Sequence, residues 1–456
     1  MSTQVATVAP SLIGNVYALL RQRQRSLVKR GKANPAMAML ALTAVLYFWL
    51  GRMRAKKGPP RGKAVPHLKT NLFMIDVAFT YVRARANGEE LKFVQDLSKQ
   101  GLTITTEFVG HCLILAFEPS SVQHILVKNF ENYPKGPAFH RAFSPFMGTG
   151  IFNADGAAWK NQRALARPHF QVTEYKGAAH IETQINQVCG IVDKAIANGD
   201  VIDVQDLWSR YTIDTATGFL FGNCVNALDV PQQKFVSAFN YTQKVCGWKI
   251  RLCEYQNLFP APSFPQKVKD MDEVLLPIVD QAIAKEMNRR VGAGGADDEE
   301  HKHDNLLQHF LNSVDENGKP FDRIYLRDML MNFLLAGRDT STNLLTFMFY
   351  NLGKNPDVME RVREEIFSVD AEEFDPDRWG PERVKMVRPF MFFPFHAGPR
   401  ICLGQNFAYN QAMNTMTRML QRYTWKVIDG FVPKPESDIT MYSRNGMHII
   451  FDEYKD

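Results

Sequence analysis

Pro394-Phe395-His396-Ala397-Gly398-Pro399-Arg400-Ile401-Cys402-Leu403-Gly404-Gln405-Asn406-Phe407-Ala408 is the stretch around which the rest of the chain is organised. Glycine and proline punctuate a loop around one cysteine, and a helical pattern follows at once through Gln411, Thr415, Met419 and Tyr423. A cysteine just ahead of a helix N-terminus meets the positive end of the backbone dipole and free N–H donors, which lowers a thiol pKa and suits a metal ligand. Gly398 and Gly404 bracket Cys402, so the backbone can turn tightly and something flat and bulky can lie close to it. Arg400 offers a fixed cation to an acidic group of that partner, and Phe395 an apolar plate near the sulfur. The bland alternative is a structural cysteine buried in an ordinary loop.

These residues resemble the haem-binding loop of the cytochrome P450 superfamily. Its pattern of Phe, two residues, Gly, one residue, Arg, one residue, Cys, one residue, Gly is met by Phe395, Gly398, Arg400, Cys402 and Gly404. The resemblance implies a mainly α fold with a minor β part, holding haem b with Cys402 as the thiolate ligand of iron and Arg400 paired with a haem propionate.

Residues 321–352 read as one long apolar helix interrupted by Ala336-Gly337-Arg338-Asp339-Thr340-Ser341. Glycine, an acid and hydroxyls inside a buried helix are destabilising unless they meet partners or a ligand. The run matches the superfamily's oxygen-binding helix. That resemblance implies that Gly337 leaves room beside the iron, that Thr340 holds an oxygen species or water, and that Asp339 passes protons inward. Upstream, Trp159 and Arg163 stand four apart, on one face if the segment is helical. Alone the pair reads as a core tryptophan with a surface arginine; in the superfamily, residues at this spacing bind a propionate at the haem edge.

Hydrophobic residues make up 45% and charged residues 22%, a globular composition. Lys and Arg exceed Asp and Glu by only 54 to 48, which does not argue for nucleic acid. Six cysteines at 112, 189, 224, 246, 253 and 402 form neither CxxC pairs nor a dense framework, fitting a catalytic domain in a reducing compartment. Residues 36–50 are nearly all apolar, end in Tyr47-Phe48-Trp49 and have basic flanks; they suit a short membrane anchor, or else a core helix. Gly58-Pro59-Pro60 then breaks regular structure. The expected division is a basic segment and anchor over 1–57 and a haem monooxygenase domain over 58–456.

Further along, 102–117 reads as two short strands, 175–198 as an amphipathic helix, and 203–221 as a helix opened by Asp203 and Asp206. Residues 232–290 read as helical with a break near Pro260. His301 and His303 lack a third ligand, and a solvated loop is preferred to a metal site. After a helix over 406–422 and a strand over 423–427, residues 439–451 read as a hairpin around Asn445-Gly446, with Met441 as pocket lining or core.

Between the oxygen-binding helix and Phe374-Asp375-Pro376-Asp377-Arg378-Trp379, the superfamily carries a Glu-x-x-Arg helix and several strands that are missing here, near 367–371. Glu360 and Arg363 have the right letters but lie in the preceding helix, and read as a coincidental surface charge pattern. Without the usual partners, Arg378 must find another acid or move to water.

The implied activity is insertion of one oxygen atom from O2 into a C–H bond, with electrons from NADPH through a reductase, since no nucleotide-binding fingerprint is present. The phrasing around the motifs resembles fungal membrane-bound alkane and fatty-acid hydroxylases. That implies a lipophilic substrate and a location at the endoplasmic reticulum membrane, with the catalytic domain facing the cytosol. The alternative is a catalytically silent, shortened derivative that binds haem weakly or not at all.

Overall fold

The computed structural model describes residues 75–108, 111–172, 176–230, 234–252, 256–257, 261–292, 305–315, 318–367 and 389–455. The anchor segment 36–50, the break at 58–63, His301, His303 and Arg378 lie outside them. Among the described residues the chain is mainly helical with three small antiparallel sheets, and no helix is long and apolar enough to cross a membrane.

In chain order the helices are α1 (Ile75–Asn87), α2 (Glu90–Ser98), α3 (Pro119–Gln123), α4 (Gly136–Met147), α5 (Gly156–Val172), α6 (Lys176–Asn198), α7 (Val204–Phe221), α8 (Lys234–Leu252), α9 (Phe264–Gly292), α10 (Leu306–Leu311), α11 (Arg323–Lys354), α12 (Pro356–Phe367) and α13 (Gln405–Arg422). The described residues fall into two units. The smaller contains the expected hairpin of β1 (Thr103–Phe108) and β2 (His111–Ala116), with Thr103 opposite Ala116 and Phe108 opposite His111.

The larger unit is built along α11. Asp322 caps it, accepting the Ile324 and Tyr325 amides at 2.8 Å each. Its first half is buried nearly all round, the polar Arg327, Asp328 and Asn332 included, and it packs against α7 above all. Asp203 caps α7 through the Gln205 amide at 3.0 Å, and Gly222 ends it in the left-handed conformation, φ 78°. One apolar cluster joins α4, α7, α8, α9 and the N-terminal half of α11; a second joins α6, the start of α7, the end of α11, α13 and the C-terminal sheet.

The C-terminal strands depart from the expected hairpin around Asn445-Gly446. Strand β6 (Met441–Ser443) pairs with β5 (Pro435–Ser437), whereas β7 (His448–Glu453) lies between β3 (Ile202–Asp203) and β4 (Tyr423–Val427). Side chains of the α7 N-terminus redirect the chain at this point. Gln205 bonds both the Ser443 amide, at 2.7 Å, and its carbonyl, at 2.8 Å, and Asp203 accepts the Met447 amide at 2.8 Å.

Arg363 is also not part of a surface pattern. It is 2% exposed, donates to the carbonyls of Leu420 at 3.0 Å and Tyr423 at 2.9 Å, and pairs with Glu360. Those carbonyls end α13 without helical partners, so the arginine acts as its C-terminal cap.

Candidate active site

Cys402 lies between a short 3-10 turn, Gly398–Arg400, and the start of α13 at Gln405. Its amide donates to the Phe395 carbonyl at 2.9 Å, closing the loop over itself. Gly398 sits at φ 67°, and a Cβ there would collide with the Leu126 carbonyl, so glycine is required twice over. Gly404 has no such constraint; a Cβ would meet only Phe170, at 3.7 Å. Phe395 packs on Tyr409, with ring centroids 4.9 Å apart.

Cys402 is exposed as a residue, yet the protein crowded around its thiol raises the pKa above the ordinary value. Burial outweighs the Gly404 N–H and the Arg163 charge, both of which favour the thiolate. This corrects the expected lowering: in the chain alone one amide and the Arg163 charge do not offset desolvation.

The structure brings Trp159, Arg163 and Arg400 to this loop. Arg163 Nη2 donates to the Ile401 carbonyl at 2.7 Å. The Arg400 guanidinium lies 4.6 Å from the Trp159 ring centroid, and its Nη2 donates to the Ala154 carbonyl at 2.9 Å and to Asp155 Oδ1 at 2.7 Å. Trp159 is buried on α5, so the sequence spacing of four does put both functional side chains on one helix face.

Three residues the sequence did not single out complete this cluster. Asp155 also accepts the Lys135 and Gly136 amides, at 3.2 and 3.1 Å, and His140 Nε2 at 3.0 Å. Burial raises its pKa, but these donors and the Arg400 charge together hold it below the usual carboxylate value. Lys135 lies over the rings of Phe139 and Phe152, at 4.6 and 3.9 Å. Burial, then the neighbouring Arg400, push its ammonium down to about 7 against the pull of Asp155. The signal in the sequence was the Asp155-Gly156 pair at the entry to a helix, a capping pattern.

On α11, Ala336, Thr340 and Leu344 form an exposed stripe at a spacing of four along a helix otherwise largely buried. Thr340 Oγ1 donates to the Ala336 carbonyl at 2.8 Å. At Gly337 an added Cβ would meet only Ala216, at 3.7 Å. Asp339 is buried and pairs with Arg338 Nη1 at 2.6 Å, while Arg338 Nη2 bonds Ser209. Both line a polar cavity of about 320 Å3 with Ser209, Gln243 and Thr342. Helix α11 and the cysteine loop share one apolar cluster, in which Phe333, Leu334 and Leu335 keep company with Leu403 and Phe407. Met441 is half-buried in β6. Among the described residues no group of histidine, cysteine or carboxylate side chains forms a multidentate metal site.

A cytochrome P450 family model matches residues 66–369 and 367–449. Cytochrome P450 52A13 of Debaryomyces hansenii is 24% identical over 495 aligned positions, spanning 84% of this chain and 90% of the relative. Cytochrome P450 monooxygenase himC of Aspergillus japonicus is 26% identical over 538 positions, spanning 96% of this chain and 93% of the relative. In fold, the crystal structure of a cytochrome P450DA haem domain aligns with a TM-score of 0.68 at 17% identity, covering 86% of this chain and 98% of that one. With the family model matched along most of its length and the same fold in the larger unit, the chain belongs to the cytochrome P450 family.

Proposed function

We propose that this chain is a membrane-anchored haem-thiolate monooxygenase that inserts one oxygen atom of O2 into a C–H bond of a long-chain alkane or fatty acid, the other atom leaving as water. Cytochromes P450 are haem-iron monooxygenases that draw NADPH electrons through a reductase. The observation that carries the proposal is the convergence of Trp159, Arg163 and Arg400 on the loop of an exposed cysteine.

A haem needs a soft axial ligand, cations for two carboxylates and uncrowded walls for a flat apolar body. The residues present fit that group. Cys402 offers the sulfur, Arg163 and Arg400 the cations, and the stripe of Ala336, Thr340 and Leu344 is exposed without a protein cover. When bound, the haem supplies oxygen activation at a thiolate-ligated iron.

The chain's own residues have separate tasks. Cys402 would hold the iron, and Arg400, Arg163 and Trp159 would hold the carboxylates. Gly337 keeps the helix surface low. Thr340 Oγ1, already donating to Ala336, keeps its lone pairs for a water or a proton. Asp339 is paired with Arg338 and borders the polar cavity, through which it can exchange a proton with solvent. The aromatic-ended apolar segment 36–50 supports a membrane anchor, and resemblance to fungal membrane-bound hydroxylases supports the endoplasmic reticulum, a body facing the cytosol and the substrate class.

The experiment is the carbon monoxide difference spectrum of dithionite-reduced membranes containing the chain, beside Cys402→Ala. A thiolate-type Soret band that the substitution abolishes is the expected result. One observation favours a second function, a silent shortened derivative: the two family-model matches meet at 367–369, and the himC alignment needs 538 positions against a chain of 456 residues. No band despite abundant protein would establish that reading.

A further inference from the structure

We infer that Asp155 is a positioning residue for the cofactor: it fixes the Arg400 guanidinium by one nitrogen and so turns the remaining N–H groups toward a haem carboxylate. This rests on the assignment of Arg400 as a propionate partner. Both hydrogen bonds that Arg400 makes to protein among the described residues use Nη2, one to Asp155 and one to the Ala154 carbonyl. An arginine has five N–H donors, so Nε and Nη1 retain three. The plane cannot swing freely, because Trp159 lies against it at 4.6 Å and Phe130 at 5.6 Å.

Asp155 is itself held from four directions. Its Oδ1 takes the Lys135 amide and Arg400, and its Oδ2 takes the Gly136 amide and His140 Nε2. The Lys135 and Gly136 amides and Arg400 are donors in every state, and His140 Nε2 is one in the form that carries its proton; an amide at 155 keeps one oxygen where these donors use two. The charge balance around it points the same way. Arg400 is paired with this carboxylate, Lys135 lies within its field, and Arg163, which is not among the donors to Asp155, acts on Arg400 as a like charge. A further anion is needed, and the N–H groups that Asp155 leaves open are where it would bind. Placing that anion correctly depends on Arg400 staying where Asp155 holds it.

The test compares haem with its dimethyl ester, which has the same iron and ring but no carboxylates. Each is loaded into the full-length chain in membranes, and its transfer to excess apomyoglobin is timed for wild type, Asp155→Asn and Asp155→Glu. Wild type should hold haem roughly tenfold or more longer than the ester, the size of a charged hydrogen bond. Asp155→Asn should shrink that gap to about twofold by speeding haem release and leaving ester release nearly unchanged, and Asp155→Glu should restore most of it. Equal acceleration of haem and ester in Asp155→Asn would show a merely structural carboxylate and overturn the inference. If Asp155→Asn takes up neither, Asp155→Ser takes its place with the same readings: a gap shrunk by faster haem release supports the inference, and equal acceleration of haem and ester overturns it. A wild type that releases haem and ester alike would instead overturn the propionate assignment of Arg400, and the inference with it.

Discussion

Asn332 Oδ1 accepts the Phe152 amide at 2.8 Å, tying a buried turn of α11 to the loop that leads into α5. Its Nδ2 donates to the Met147 carbonyl at 2.8 Å and the Asp328 carbonyl at 2.7 Å. Asp328 adds a bond from the Thr149 amide at 3.2 Å, and Cβ atoms at Gly148 or Gly150 would collide with these two side chains. Helix α11 therefore sets where α5 begins, and with it the position of Asp155, Trp159 and Arg163. Asn332→Ala leaves the part-buried Phe152 N–H unpaired and the Met147 carbonyl with only the Gly150 amide, at 3.4 Å. We expect it to lower the unfolding free energy by about 2–4 kcal/mol, read from urea titrations. An unchanged midpoint would mean that the loop is held by other contacts.

Arg363 and Glu360 should separate sharply in their effects. The arginine is buried and serves two carbonyls, and it lies 4.0 Å from the Tyr454 ring centroid, whereas the Glu360 side chain is 47% exposed. Arg363→Ala is expected to cost about 3–5 kcal/mol of stability, because the end of α13 loses its cap in a water-poor site. Glu360→Gln should cost about 1 kcal/mol or less. Equal losses in thermal or urea unfolding would contradict a capping role.

Much of this was legible from local pattern. The cysteine loop, the interruption in α11 and the Asp203 cap each depend on residues close in sequence, and glycine at 398 announced a conformation that only glycine tolerates cheaply. What was missed is non-local. Nothing near Glu360 and Arg363 reveals that the end of α13, nearly sixty positions on, needs donors, so they read as surface charges. The turn at Asn445-Gly446 has a hairpin's residues, but Gln205 and Asp203 decide which strands pair across it. The thiol pKa was misjudged because a sequence shows the helix dipole and hides desolvation.

Lys135 gives the fold a pH dependence with a defined sign. Its pKa falls from the ordinary value of 10.5 to about 7 on folding, so between these values the unfolded chain binds the extra proton. Stability of the haem-free chain therefore rises with pH in this window, by at most about 1.4 kcal/mol per unit. The slope is best measured from pH 7 to about 8.5. Above that the half-buried thiol of Cys224 and the buried one of Cys246, pushed to about 11 and about 12, favour unfolding as pH rises. Lys135→Met should stabilise the chain at pH 7 and flatten the slope. A slope equal to wild type would assign the effect to another group.

Asp339 tests whether the polar cavity serves chemistry or only packing. The carboxylate is buried, paired with Arg338 at 2.6 Å and one residue from Thr340, whose side chain lies on the exposed stripe. If Asp339 relays protons, Asp339→Asn keeps the shape of the site and removes the group that exchanges them. Turnover should fall by roughly 10- to 100-fold with the carbon monoxide spectrum intact, and the solvent deuterium isotope effect on turnover should grow. Arg338→Ala is expected to act differently. It leaves a buried carboxylate without its counter-ion, so it should cost about 3–5 kcal/mol of stability in urea unfolding. A purely structural Asp339 predicts the opposite pairing: lost haem spectrum in both variants and no change in isotope effect in whatever activity survives.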